Sequence, residues 1–320
     1  MTEFELIEHY FAKQIEHRSD VIHGIGDDAA IVKIPPGAEL AVTTDTLIAG
    51  VHFPEATSPY DIGYKSLAVN LSDLAAMGAT PAWVLLAITL PQADEEWIQH
   101  FCDGFFTLAK RYHIQLIGGD TTHGSVLSIT VQAMGFTSPQ QALRRSGAKA
   151  EDLIYVSGTL GDAGLALLAI QKKISLSDVA RNEVLPRLNR PEPCIQLGEA
   201  IKTIAHAAID ISDGLAADLG HILEQSKLGA VVYVDDLPLS SHLTNAVTTD
   251  EAIHLALTAG DDYQLCFTIP ATKRAELEAI APSLSCRCTC IGFITTQPSL
   301  ELRYQDGKKY HGPRSGYQHF

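Results

Sequence analysis

Residues 58–83 read "SPYDIGYKSLAVNLSDLAAMGATPAW", and the fold hangs on how this stretch is read. Ser58 stands where a helix N-cap belongs and Pro59 falls at the first helical position. Gly78 follows the last apolar residue, with Pro81 beyond it. The spacing predicts one long helix that begins at Pro59 and stops before Gly78. Asp73 then lies near the C-terminal end, where the helix dipole disfavours negative charge, so its carboxylate is better explained by a bound cation than by local stability.

Working outward, "ELAVTTDT" (39–46) and "WVLLAIT" (83–89) read as strands on either side of that helix. A helix from about Asp94 to Tyr112 follows, then a short strand "IQLI" (114–117) opening into "GGDTT", then a strand "LSITVQAMGF" (127–136). Before them, Thr2 to Ile15 places Phe4, Ile7, Phe11 and Ile15 on one helical face, with Thr2 and Glu5 as a capping box. The polar, turn-rich "TSPQQALRRSGAKAED" (137–152) is the expected domain junction.

Beyond it, "LIYVSG" turns through "GTLGDAG" (158–164) into a helix "LALLAIQKK". Such a turn can hold phosphate on backbone N–H groups, and it is equally the shape of any tight strand-to-helix connection. "AAIDISDG" (207–214) reads as a strand running into the helix "LAADLGHILEQS", and "YQLCFTI", "CTCIGFI" and "LELRY" supply further strands. The residues alone therefore give an α/β protein of two domains.

The chain has 320 residues, 46% of them hydrophobic, enough for two cored domains. No apolar stretch approaches the ~18 residues needed to cross a bilayer, and "MTEFELIEHYF" lacks a signal pattern, so a cytoplasmic protein is expected. A formal net charge of −15 argues against binding nucleic acid or anionic membrane through a basic surface. A polyanionic substrate would need metal ions. The six cysteines include no C-x-x-C pair. The run "SCRCTCIGFI" (285–294) offers either a soft-metal site or, by alternation, three thiols on one face of a strand.

Acidic residues recur where elements end beside small or hydroxyl neighbours: Asp27 and Asp28 in "GIGDDAA" (24–30), Asp45, Asp73, Asp120, and Asp210 with Asp213. Each alone reads as a turn or cap residue. As a set they suggest one site. Carboxylate and hydroxyl oxygens select magnesium or calcium, and magnesium bridging carboxylates to phosphates implies a nucleoside triphosphate. A Rossmann reading of Gly24 and Gly26 fails because "RSDVIHGIGDDAA" offers no preceding hydrophobic strand, and neither a Walker loop nor the protein-kinase motifs occur.

Seven motifs stand in one order along the chain: "GIGDDAA", "TTDTLIAGVHF", "NLSDLAAMGATPAW", "LIGGDTT", "RSGAKAED", "IDISDGLAADLGHI" and "AGDDYQLCF". In these the chain resembles the bacterial thiamine-monophosphate kinases over essentially its whole length. "NLSDLAAMGATP" marks the wider superfamily of aminoimidazole-ribonucleotide synthetase, selenide-water dikinase and the hydrogenase-maturation dehydratase; "TTDT", "GVHF" and the terminal "GYQHF" point to the thiamine enzymes.

The resemblance implies that ATP phosphorylates thiamine monophosphate to thiamine diphosphate by direct in-line transfer. It implies magnesium on Asp28, Thr43, Thr44, Asp45, Asp73, Asp120, Asp210 and Asp213, with Asp45, Asp120 and Asp213 at the catalytic centre. Gly119, Asp120, Arg145 and Ser212 would contact ATP, and His52, Asp261 and Tyr317 the thiamine substrate. By the residues alone, Arg145 is equally a surface charge and His52 a packed strand-end histidine. Where the family pattern is G-G-E-D-Y-E-L this chain has "AGDDYQL", with Asp261 one methylene shorter and Gln264 uncharged.

The implied fold is an aminoimidazole-ribonucleotide synthetase-like one. Residues 1–148 would form an ATP-, magnesium- and partner-binding domain whose strands close a β-barrel with a second subunit, and residues 149–320 an α/β domain with a mixed sheet. A homodimer is therefore expected. The sibling dikinase and dehydratase need a reactive cysteine near one terminus, and none precedes Cys102 or follows Cys290. A nucleotide-binding regulator without chemistry is the reading from another class.

Overall fold

The structure, a computed structural model, describes residues 3–13, 16–284, 286–312 and 316, the side chains of residues 3 and 4 excepted. The chain divides into two compact units, residues 1–74 with 79–140, and residues 75–78 with 141–320.

In the first unit a short helix α1 (Glu3–Leu6) continues as a π-helical turn (Ile7–Ala12). The expected α-helical stripe is thus replaced by a wider turn, and the buried pair is Leu6 and Phe11, five residues apart, with Ile7 only half-buried. Thr2 and Ile15 of that expectation lie outside the described residues. Strands β1 (Val21–His23) and β2 (Ile31–Val32) pair antiparallel across the "GIGDDAA" turn. A short strand does precede Gly24, contrary to the sequence reading. It enters a hairpin instead of a helix, and so still gives no dinucleotide loop.

Four longer strands, β3 (Glu39–Ile48), β4 (Thr80–Leu90), β5 (Gln115–His123) and β6 (Ser128–Thr137), form an open sheet in the order β3-β6-β4-β5. Strand β5 runs on through "GGDTT", beyond the short strand "IQLI" expected from the sequence. Helix α2 (Pro59–Ala76) is apolar almost all round and correspondingly buried, with Leu67, Leu71 and Leu74 at most 1% exposed. Its start is as expected: Ser58 Oγ accepts the Asp61 N–H at 3.1 Å. Helix α3 (Glu95–Arg111) is capped by Asp94, whose side chain accepts from Trp97 N.

The two helices meet backbone to backbone. A Cβ on Gly63 would stand 2.0 Å from the Phe101 carbonyl oxygen, and one on Gly104 would stand 1.9 Å from that of Tyr60. Only glycine permits that approach, which seats Phe101 and Phe105 fully in the core.

The second unit holds β7 (Leu153–Ser157), α4 (Asp162–Ile170), α5 (Asp178–Asn189), α6 (Ile195–Ile201), β8 (Ala207–Asp210), α7 (Leu215–Ser226) and β9 (Gly229–Tyr233). It continues through α8 (Ser241–Ala246), α9 (Thr249–Thr258), β10 (Leu265–Ile269), α10 (Arg274–Ile280), β11 (Cys288–Thr295) and β12 (Leu300–Arg303). Its six strands order as β12-β9-β11-β7-β10-β8, and only the β12–β9 pair is parallel. This is the mixed sheet expected. Its largest core cluster joins strand residues such as Ile154, Ile209, Val232 and Ile291 to Leu219 and Ile222 of α7.

Candidate active site

In the first unit, period-two alternation along β3 sorts the "TTDT" side chains. Thr43 and Asp45 face α2: the Thr43 hydroxyl donates to Asp73 Oδ2, and the carboxyls of Asp45 and Asp73 interact directly. Thr44 points to the other face, where its hydroxyl donates to the Val131 carbonyl at 3.1 Å. Its side chain is therefore separated from the acid pair it was grouped with.

Burial, and then the charge of Asp73, lift the Asp45 pKa to about 7. Two carboxylates in one half-buried spot repel each other until a proton or a cation comes between them. Asn70 was missed by the sequence reading. Its Oδ1 accepts the Asp45 backbone N–H at 3.1 Å, pairing a donor that the edge strand would otherwise leave open. The signal was present: Asn70 precedes Asp73 by three residues and shares its helical face.

His52 closes the turn after β3, its Nδ1 accepting the Ile48 N–H at 3.0 Å, which leaves the proton on Nε2. Beside it Lys65, 2% exposed, points its ammonium at the His52 carbonyl, 3.4 Å away. A buried lysine within the apolar run "YKSLAVN" is a second residue the sequence reading passed over.

Asp120 and Gly119 lie on β5, the opposite edge of the sheet. Three strand spacings, about 14 Å, separate that edge from β3, so the sheet does not bring Asp120 to Asp45 and Asp73. Asp28 is exposed in the β1–β2 turn, where Asp27 Oδ1 accepts its N–H. Among the described residues no group of three or more His, Cys, Asp or Glu side chains is placed to hold a metal ion. Within the first unit, then, Asp45 and Asp73 form a pair, while Asp28 and Asp120 stand on other parts of the fold.

In the second unit, Asp210 ends β8 at 5% exposure, and Ser212 and Asp213 follow in the turn to α7. That turn's N–H groups are already used. Asp218, on the first turns of α7, reaches back so that Oδ2 accepts from Ser212, Asp213 and Gly214 at 3.0, 3.0 and 3.1 Å. Burial nevertheless lifts its carboxyl to about 7. Any contact of Ser212 with a ligand is left to its side chain.

Arg145 is exposed in a loop held by Ser226, whose Oγ accepts from Gly147 N and Ala148 N and donates to the Arg145 carbonyl. The glycine turn "GTLGDAG" is likewise filled: both oxygens of Asp262 accept the Gly161 N–H, at 3.1 and 2.9 Å, so α4 begins on a protein carboxylate. A phosphate there would have to displace it.

Asp261 and Tyr263, flanking Asp262, have positive φ of +67° and +47°. Such backbone costs roughly 1–3 kcal/mol per residue. Gln264 is 8% exposed, and its Oε1 accepts from Ser157 Oγ at 2.8 Å and from the Cys194 thiol at 3.6 Å. No cation is among these partners, so an uncharged amide here avoids burying a charge.

Cys288 and Cys290 alternate along β11 opposite Ser157 and Tyr155, while Cys286 precedes the strand and interacts with Cys194 and Cys288. All six cysteines are free thiols. Tyr317 lies outside the described residues, but Gly316 packs against the Asp213 carbonyl, where a Cβ would stand 2.4 Å away.

Residues 26–137 match the AIR synthase related protein, N-terminal domain, and residues 149–305 the corresponding C-terminal domain. The thiamine-monophosphate kinase of Escherichia coli K12 is 46% identical over 319 residues, covering 99% of this chain and 98% of that protein. The chain belongs to the thiamine-monophosphate kinase family. A crystal structure of the Stenotrophomonas maltophilia K279a member superposes with a TM-score of 0.86 at 48% identity, covering 92% of this chain and 93% of that one. AaThiL complexed with AMPPCP and TMP superposes at 0.78 with 32% identity, covering 92% of each chain.

Proposed function

We propose that this chain transfers the γ-phosphoryl group of ATP to the phosphate of thiamine monophosphate, giving thiamine diphosphate and ADP. The observation that carries the reading is the 46% identity to a thiamine-monophosphate kinase across 99% of the chain, both units included. The AaThiL structure, with an ATP analogue and TMP, supports the same pair of substrates.

In this reaction an acceptor phosphate oxygen attacks the γ-phosphorus in line as the bond to ADP breaks. An ionised acceptor needs no general base, so the protein's task is positioning and charge neutralisation. Arg145 offers a planar fork to a phosphate, and the Ser212 hydroxyl a hydrogen bond. His52, with Nε2–H as donor, Asp261, and Tyr317 in the tail are assigned to the acceptor.

Magnesium fits what the first unit offers: Asp45, Asp73 and the Thr43 hydroxyl are hard oxygen donors, and the two carboxyls interact at one half-buried place. Bound there, magnesium would neutralise phosphate charge. Asp28, Thr44, Asp120, Asp210 and Asp213 are retained as candidate ligands, Thr44 through its backbone carbonyl. Asp120 and Asp213 are assigned with Asp45 to the catalytic centre, and Gly119 with Asp120 to ATP.

A homodimer is supported by the open sheet, whose edge strand β3 exposes Leu40 (38%) and Val42 (53%) next to Phe136 and Met134 of β6. A second sheet laid on this face would close a barrel. Sedimentation showing only monomer at micromolar concentration would refute it. Among the described residues no helix is long and apolar enough to cross a membrane, and we place the protein in the cytoplasm.

Incubation with ATP, magnesium and either thiamine monophosphate or free thiamine, followed by separation of thiamine esters, tests the activity. Diphosphate is expected from the monophosphate alone. Equal diphosphate formation from both compounds, or none from either, overturns the proposal.

A further inference from the structure

Tyr263 is a bulky residue with φ of +47°, and Asp261 two residues earlier has φ of +67°. Unlike asparagine or aspartate, tyrosine has no short polar side chain to support left-handed backbone, so the surrounding contacts must hold it. Those contacts come from two sides. The Asp261 N–H donates to the Ser212 carbonyl at 2.9 Å and the Tyr263 N–H to that of Ile211 at 2.8 Å. Between them Asp262 turns the opposite way, 7% exposed, and its carboxylate takes the Gly161 N–H at the start of α4.

The arrangement differs from an ordinary helix cap. Gly161, at the N-cap position of α4, has no side chain to cap with, and the carboxylate that does the work comes from 101 residues along the chain. An N-cap normally serves its own helix. Here it fastens a strained turn to a rigid element, and the residues on either side of the fastened one, Asp261 and Tyr263, are left half-buried.

We propose that Asp262 is a positioning residue for acceptor recognition: by seating its carboxylate on the start of α4 it holds Asp261 and Tyr263 in the left-handed backbone that presents their side chains. The inference rests on the reading of Asp261 as an acceptor contact. It concerns only affinity for the acceptor, since neither Asp262 nor the α4 terminus it occupies is assigned to ATP.

Asp262→Asn keeps size and one acceptor oxygen but sets an amide NH₂ against the helix N–H groups. It is expected to raise KM for thiamine monophosphate by about tenfold while KM for ATP stays within about twofold. Amide hydrogen exchange at residues 261 and 263 should quicken in parallel. Unchanged acceptor KM, or equal rises in both KM values, overturns the inference whatever the melting temperature does.

Asp261→Ala separates this from the underlying reading. If Asp261→Ala leaves acceptor KM unaltered, the reading of Asp261 as an acceptor contact fails and takes the inference with it; if Asp261→Ala raises acceptor KM but Asp262→Asn does not, the inference alone is rejected. Should Asp262→Asn be insoluble, Asp262→Ser retains a capping oxygen. It should show the same split at smaller amplitude, and its absence counts equally against the proposal.

Discussion

Asp45 on an edge strand and Asp73 near the end of a buried helix bring their carboxyls into direct interaction, with the Thr43 hydroxyl donating to Asp73 on the same face. Helix dipole, burial and mutual repulsion all act against two negative charges there. A site that costs stability when empty is expected to repay it when a cation binds. Asp45→Asn should therefore raise the melting temperature of the metal-free protein while lowering kcat by well over tenfold, a loss above ~1.4 kcal/mol. Calorimetry in a chelator, paired with steady-state kinetics in magnesium, checks both; a variant that retains a tenth or more of kcat removes Asp45 from the centre.

Asp45 and Asp218 both have carboxyls lifted to about 7, whereas in an unfolded chain aspartate titrates near ~3.9. Between those values the folded protein holds protons that the unfolded chain has released. Stability from these two groups is accordingly highest at the acid end of the window and falls as pH rises towards 7, by at most about 1.4 kcal/mol per pH unit for each. The metal-free protein should melt at higher temperature at pH 5.5 than at pH 8, and Asp218→Asn should flatten that slope. A melting temperature that climbs over the same range contradicts the assignment.

Gln264→Glu probes the same physics at a neutral site. The new carboxyl would lie among the Ser157 hydroxyl, the Cys194 thiol and the Asp262 carbonyl, which Gln264 Nε2 now faces at 3.5 Å. Losing the amide donor places oxygen against oxygen, and burial disfavours the charge. A destabilisation of about 1–3 kcal/mol is expected near neutral pH, shrinking as pH falls towards the acid's own pKa. Equal stability of variant and wild type at pH 8, read from denaturant melts, would show that the cavity accommodates a charge.

How much of this was legible in the sequence depended on whether the signal was local. Cap and stop residues located α2 from Ser58, Pro59 and Gly78, and the runs "ELAVTTDT" and "LSITVQAMGF" located β3 and β6, because those cues act within a few residues. The extension of β5 through "GGDTT" was hidden, since glycine and aspartate disfavour strands and only the neighbouring β4 imposes one. The π-turn at residues 7–12 was hidden for another reason: the spacing of Phe4, Ile7 and Phe11 fits an α-helix, and i→i+5 hydrogen bonding has no residue pattern of its own. At the site, residue types betrayed the acids, but not their partners. Asp262 is occupied by a backbone N–H 101 residues away, and the distance from Asp120 to Asp45 follows from strand order, which no single segment encodes; Asp218, whose partners lie four to six residues upstream, was within local reach and was passed over.

The tail "GPRSGYQHF" tests the acceptor assignment from another direction. Gly316 lies against the Asp213 carbonyl and the Ala217 side chain, so close that a Cβ would stand 2.4 and 2.7 Å from them. Gly316, the residue before Tyr317 in sequence, therefore sits on the turn that carries Asp213. An aromatic face stacked on a flat, partly cationic heterocycle contributes about 0.5–2 kcal/mol. Tyr317→Ala should then weaken thiamine monophosphate by roughly two- to thirtyfold, leaving ATP affinity within error. Gly316→Val, whose side chain cannot fit against Asp213 and Ala217, should reproduce that loss with Tyr317 still present. Titrations of both ligands, with melting temperature as control, decide the matter: parallel loss of ATP affinity, or a fall in melting temperature alone, would make the tail a structural strap and not part of the acceptor site.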